Sequence, residues 1–184
     1  MQTLIQELKQ DLHANMNGVA SAAMREAGMT QDYRVNFGIE LPRIASIKDE
    51  FLAAHPDCDR PALAQALWKE RVRELRILAT LLYPADEMAT DVADIWVRDI
   101  RTVELAQIAA MNLFSKMKAA SERAFAWIAN DDETLQICGY YTLLHLLRTT
   151  SLNDRSRQEL MDQATAAAAS ENAQLRAVAR KIIA

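Results

Sequence analysis

The chain has 184 residues, 51% of them apolar, with only 4 Gly and 4 Pro and a formal net charge of -4. That length fits one compact domain spanning residues 1–184, and the scarcity of turn formers excludes disorder, collagen and turn-rich β architectures. With 21 basic against 25 acidic residues there is no global basic field of the kind common in nucleic-acid binders, so a nucleic-acid site has to be a local patch.

Apolar residues recur at three- and four-residue intervals along nearly the whole chain, which predicts about ten amphipathic helices and no strand. The first two are expected over residues 3–15 and 19–27, and a connector from Gly28 to Gly38 leads into a third over 41–54. Pro56, Asp59 and Pro61 punctuate the chain. Pro61 falls in a first helical turn behind Asp59 as its cap, and helical periodicity then continues through Trp68 to Tyr83, where Pro84 stops it. Beyond Pro84 there is no proline and a single glycine, Gly139. Helices are predicted over 87–99, 103–118, 121–129, 133–148, 155–169 and 171–183, with Asn130 and Glu133, and Ser156 and Glu159, at capping-box spacing.

An internal register runs through these helices. Leu75, Leu105 and Leu135 are each followed four residues later by Ala79, Ala109 or Gly139, and Leu175 with Ala179 repeats the pair. Each Leu is expected to pack into the core, while the small residue one turn on lets a neighbouring helix come close. Repeats of this size predict an all-α fold, a HEAT-like or ARM-type α-solenoid of stacked antiparallel helix pairs; an irregular helical bundle is the alternative.

Chemistry-bearing motifs are few. Cys58 and Cys138 are far apart without CxxC spacing, which points to a reducing, cytoplasmic setting with neither disulfide nor thiol metal site. His13, His55 and His145 lack metal-ligand spacing, so no metal is expected. There is no Gly-rich phosphate loop or nucleophile elbow, so no cofactor is expected, and no apolar run long enough for a membrane span. Trp96 and Trp127 read as core, the eight methionines as core filler, and Asp86, Glu87, Asp91, Asp94 and Asp99 as a solvated acidic helix.

The segment LWKERVRELRILATLLY, residues 67–83, is the exception. On one continuous helix it places Val72, Leu75, Ala79 and Leu82 on one face and Lys69, Arg73, Arg76 and Thr80 on another. Such a cationic stripe can track phosphates; the residues alone favour a solvated face on which Glu70 and Glu74 form intrahelical pairs.

GIELPRI (38–44) followed by LWKERVRELRILA (67–79), then VRDIRTVELAQIAAMNLF and AFAWIANDDETLQICGYYTLLHLL, resembles the AlkD-like DNA alkylation repair family of HEAT-like DNA glycosylases. The resemblance covers roughly residues 35–147, with a weaker tail. It implies a helical solenoid that binds duplex DNA, with the 67–83 helix bordering the concave DNA groove and Lys69, Arg73, Arg76, Arg101 and Arg180 as DNA contacts. It also implies excision of cationic alkylated purines. The family's aromatic and catalytic Asp fall on Ile100 and Glu104, so the carboxylate persists as Glu and the aromatic is lost. A second aromatic falls near Arg180, a backbone-gripping Arg near Ile137, and the Arg three residues after the family proline is Ala45. Two functions follow: a DNA glycosylase using Glu104, or a non-catalytic adaptor that binds protein or nucleic acid through its concave face.

Overall fold

The computed structural model describes residues 1–30 and 32–184. Among them are eleven α-helices: Gln2–Ala14 (α1), Gly18–Glu26 (α2), Leu41–Ala54 (α3), Arg60–Trp68 (α4), Arg73–Leu82 (α5), Thr90–Asp99 (α6), Val103–Asn112 (α7), Ala120–Ile128 (α8), Glu133–Leu146 (α9), Asp154–Ala167 (α10) and Ala173–Ile183 (α11). Short 3-10 turns cover Ala85–Glu87 and Phe114–Lys116. None of these helices is long and apolar enough to cross a membrane. The described residues form two compact units, Met1–Glu87 and Met88–Ala184.

The thirty-residue register corresponds to real equivalence. Helices α5, α7, α9 and α11 begin at residues 73, 103, 133 and 173, so Leu75, Leu105, Leu135 and Leu175 are each the third residue of a helix. All four are buried, as are Ala79, Ala109 and Ala179. In the second unit α8 packs on α9, α10 on α11, and α9 is flanked by α7 and α11. Gly139 shows why the second position of the motif is small. A Cβ there would lie 2.6 Å from Ile128 Cγ2 and 2.9 Å from the Ala124 carbonyl oxygen, so α8 rests directly on the α9 backbone. Trp96 and Trp127 are core residues, both 3% exposed.

Caps explain the helix starts. Asp59 accepts from Ala62 N–H at 3.0 Å, and Pro61 occupies the first turn of α4, as expected. The two proposed capping boxes are displaced. The cap of α9 is Asp132, which accepts from Thr134 and Leu135 N–H, whereas Asn130 receives the Asp132 N–H. The cap of α10 is Asn153, which accepts from Ser156 N–H. In both cases the Asp or Asn immediately before the helix is the cap, while Asn130 lies outside α9 and Ser156 lies inside α10 as its third residue. Glu133 instead reaches Ser170 Oγ and Asn172 Nδ2 in the turn between α10 and α11.

The predicted continuous helix over 67–83 is two helices. Lys69 closes α4, residues up to Val72 turn, and α5 starts at Arg73. The break is tertiary in origin, since Lys, Glu and Arg are good helix formers. The connector before α3 pairs with this turn: Arg34 N–H and Val35 N–H donate to the Arg71 carbonyl at 2.7 and 3.4 Å, and Arg73 N–H donates to Val35 O at 3.2 Å. Val35 and Val72 form an isolated parallel bridge.

Glu74 locks that pairing. Its side chain has no exposed surface, and its carboxylate accepts from the backbone N–H of Phe37 and Gly38 at 3.1 Å and of Ile39 at 3.3 Å. Arg73 Nη1 donates to the same carboxylate at 2.9 Å and to the Ile39 carbonyl at 3.0 Å. Aiming three consecutive N–H groups at one carboxylate requires the left-handed backbone of Gly38, φ +71°. A Cβ there would also lie 2.4 Å from both Asn17 O and Ser21 N.

Two stability measurements test this packing. Gly139→Ala is expected to lose a net ~1–2 kcal/mol in urea unfolding, because overpacking outweighs the helix propensity gained, whereas Gly18→Ala, with nothing within 4 Å of its Cβ, should be neutral or slightly stabilising. Glu74→Gln turns an NH2 group towards backbone donors and takes the opposite charge from Arg73. A loss of about 3–5 kcal/mol is expected; a change below about 1 kcal/mol would show that the carboxylate charge is not what holds the connector.

Candidate nucleic-acid interface

Lys69, Arg73 and Arg76 do not form an exposed stripe on one helix. Lys69 is exposed at the end of α4, but Arg73 is 2% exposed and committed to Glu74 and Ile39. Arg76 is 8% exposed; its Nε donates to the Glu70 carbonyl at 3.2 Å and its guanidinium lies 5.3 Å from the centre of the Trp68 ring. The helix break rotates α5 relative to α4, and the buried face of α5 takes in both arginines. Their charge shapes the turn of residues 69–72 from within.

Three exposed cations of the first unit, Arg34, Lys69 and Arg71, gather elsewhere. A cleft of about 570 Å³ is lined by α1, the connector before α3 and the 69–72 turn, and it brings Lys69 together with Lys9, Arg34 and Arg71. Sequence periodicity could not find this grouping, because Arg34 sits on a connector that has no period and meets Arg71 only through backbone pairing. Arg71 belongs to the LWKERVREL run, whereas Lys9 and Arg34 lie far from it in the sequence.

In the second unit, Arg101 is exposed in the turn between α6 and α7, and Arg180 is exposed on α11. Glu104 is half-buried in the first turn of α7, behind the cap made by Thr102 Oγ1, which accepts from Leu105 N–H at 3.3 Å. A carboxylate there complements the helix dipole. Gln107, one turn on from Glu104, donates through Nε2 to the Tyr141 hydroxyl of α9 at 2.6 Å, and Lys181 of α11 lies 5.6 Å from the Tyr141 ring centre. The packed helices α7, α9 and α11 thus share a polar row running from Gln107 through Tyr141 to Lys181. Neither Gln107 nor Tyr141 stood out in the sequence, because neither carries charge and their contact joins residues far apart in the chain.

Further along α9, burial and then the charges of Arg148 and Lys116 hold His145 below the ordinary histidine range. Its folded form resists protonation, so it is neutral at pH 7 and withdraws stability as pH falls through the ordinary histidine range. Of the positions that the resemblance assigns to the family's site, Ile100 is 0% exposed and Ile137 5% exposed, so both are core residues. Burial keeps the Cys138 thiol protonated and pushes Tyr140 up to about 12, so neither is a nucleophile at neutral pH.

Comparison with known proteins accords with this architecture. A solved structure described as belonging to a new family of proteins related to the HEAT-like repeat DNA glycosylases, with affinity for branched DNA structures, superposes with a TM-score of 0.81 over 97% of this chain and 73% of that chain. At 15% identity the likeness is one of fold, and it makes the all-α, HEAT-like assignment. No curated protein matches the sequence. The family model for the DNA alkylation repair enzyme matches residues 8–181, nearly the whole chain, and this protein therefore belongs to that family.

Proposed function

We propose that the protein binds DNA through its exposed cations and acts on alkylated DNA as a monofunctional glycosylase, with Glu104 as the carboxylate at the reacting sugar. The observation that carries this reading is the family match over residues 8–181; beside it stands Glu104, a carboxylate at the position that the resemblance assigns to the family's catalytic acid. A purine alkylated at N3 or N7 is already cationic. When its C1′–N bond breaks, the electron pair moves to the purine and neutralises it, leaving an oxocarbenium-like sugar. Water then adds to C1′ and loses a proton. This chemistry needs negative charge beside the sugar more than it needs a strong acid. Phosphates would be met by Lys69 in the first unit and by Arg101 and Arg180 in the second, while Arg73 and Arg76 act indirectly by fixing the turn that carries Lys69.

A second reading is favoured by one specific observation: the position of the family's aromatic is the fully buried Ile100. A chain that keeps the fold without that ring would be a non-catalytic adaptor, holding DNA or a protein partner.

Two experiments test these readings. Replacing Lys69, Arg101 and Arg180 together by Ala is expected to flatten the salt dependence of duplex binding, each lost phosphate contact removing about one unit of slope; an unchanged slope would place the DNA surface elsewhere. Glu104→Gln is expected to cut release of 3-methyladenine or 7-methylguanine by ~10- to 1,000-fold, or ~1.4–4 kcal/mol of transition-state stabilisation, while changing stability by no more than ~1 kcal/mol. A Gln variant as active as the parent would leave Glu104 as a helix-end residue. A parent no faster than spontaneous depurination would favour the adaptor.

A further inference from the structure

The cleft of the first unit has a composition that duplex binding alone does not call for. Four cations line it against one carboxylate, Glu70, which is engaged by Lys9 Nζ at 3.1 Å. Arg71 is braced by two hydrogen bonds to the Asp32 carbonyl, at 3.1 Å from Nε and 2.9 Å from Nη2, which fix its guanidinium while leaving its charge uncompensated. The side chains of Arg34 and Lys69 have no hydrogen-bond or ion-pair partner among the described residues. Because Arg34 N–H and Val35 N–H both donate to the Arg71 carbonyl, the backbones carrying the two guanidinium groups are held side by side.

The remaining walls are apolar and aromatic. Phe37 presents its ring with His13 edge-on, ring centres 6.2 Å apart, and Val72 and the 41%-exposed Val35 complete the surface. A duplex backbone needs only cations, whereas a phosphate site beside an aromatic, apolar wall is how unstacked nucleotides are held. The volume suits a ligand of that size.

We propose that this cleft takes one unpaired nucleotide, its phosphate among Arg34, Lys69 and Arg71 and its base against Phe37 and Val35. The inference rests on the DNA-binding reading above and sharpens it: unpaired nucleotides at a flap or junction would be bound in preference to continuous duplex. The backbone pairing that fixes Glu74 on the connector also fixes the cleft walls, so the site is formed before DNA arrives.

The test uses the full chain in two titrations. In the first, fluorescence anisotropy compares a blunt duplex with the same duplex carrying a single-stranded flap. In the second, amide NMR spectra follow addition of deoxyadenosine 5′-monophosphate or of deoxyadenosine. The flap is expected to bind about tenfold more tightly than the blunt duplex, the scale of one stacked base. Arg34→Ala and Phe37→Leu, which spare the backbone bonds of the connector, should each remove most of that preference with the melting temperature unchanged, and Phe37→Leu, which removes no charge, should nearly keep blunt-duplex binding. The monophosphate, and not the nucleoside, should shift the amides of Val35 and Val72. A parent that binds both duplexes equally, or variants that keep the full flap preference, would overturn the cleft assignment and leave the DNA reading standing. Monophosphate shifts in a protein that binds no DNA would uphold the cleft as a site for free nucleotides and sink the DNA reading. Absence of both kinds of binding would overturn both.

Discussion

A carboxylate with no exposed surface organises the first unit. Burying the charge of Glu74 carries a large desolvation penalty, and it is offset by four donors: three consecutive backbone N–H groups from residues 37–39 and the guanidinium of Arg73. That arrangement makes demands in both directions along the chain. It requires a glycine at 38, because only a left-handed residue points the three amides at one spot and only a residue without Cβ clears the start of α2. It also requires the chain to leave the helix before Arg73, since the 71–73 backbone must pair with the connector. The exposed cations at 34, 69 and 71 are where they are as a consequence.

The same economy governs negative charge elsewhere. A net charge of -4 suggests a surface hostile to nucleic acid, yet several acidic groups are engaged internally. Asp94, in the helix that reads from sequence as uniformly solvated, accepts from Arg123 Nη1 at 3.1 Å and from Trp127 Nε1 at 2.8 Å, tying α6 to α8. Glu133 ties α9 to the α10–α11 turn, and Glu70 holds Lys9. Partnered carboxylates contribute less to the field outside the protein than their number implies. The cations at residues 34, 69, 101 and 180 are all exposed, so local potential departs from the global count.

What could be read from the sequence, and what could not, divides along the same line. The leucine and small-residue register predicted equivalent buried positions for Leu75, Leu105, Leu135 and Leu175, because a core-facing Leu with a small residue one turn later is a local requirement of packing, repeated with the fold. Asp59 was legible as a cap for the same reason. The break at 69–72 was not, since LWKERVREL satisfies a helical period throughout and nothing local opposes it. Only the distant connector supplies backbone partners that compete with the helix. That one break turns an apparent surface stripe of Lys69, Arg73 and Arg76 into one exposed cation and two buried ones. The cleft and the Gln107–Tyr141 bond escaped because their residues meet through pairing and packing across long sequence separations.

The motifs through which the family is recognised prove to be fold residues. Gly38, Arg73, Glu74 and Leu75 hold the scaffold, so a match on them reports architecture and is silent on chemistry. The proposed reaction would depend on positions where this chain departs from what the resemblance implies, and magnitudes rank those departures. A cation–π contact to a charged lesion is worth ~0.5–2 kcal/mol, so replacing an aromatic by the buried Ile100 forfeits about one order of magnitude in rate. Charge stabilisation at the sugar is worth ~2.7–4 kcal/mol where a single stabilising group has been removed in other enzymes. For the proposed glycosylase, loss of the ring would weaken the reaction without abolishing it, and the position of the Glu104 carboxylate relative to C1′ would decide the rate. That side chain starts from the first turn of α7, where Thr102 Oγ1 caps the Leu105 amide and fixes the helix start from which the carboxylate extends.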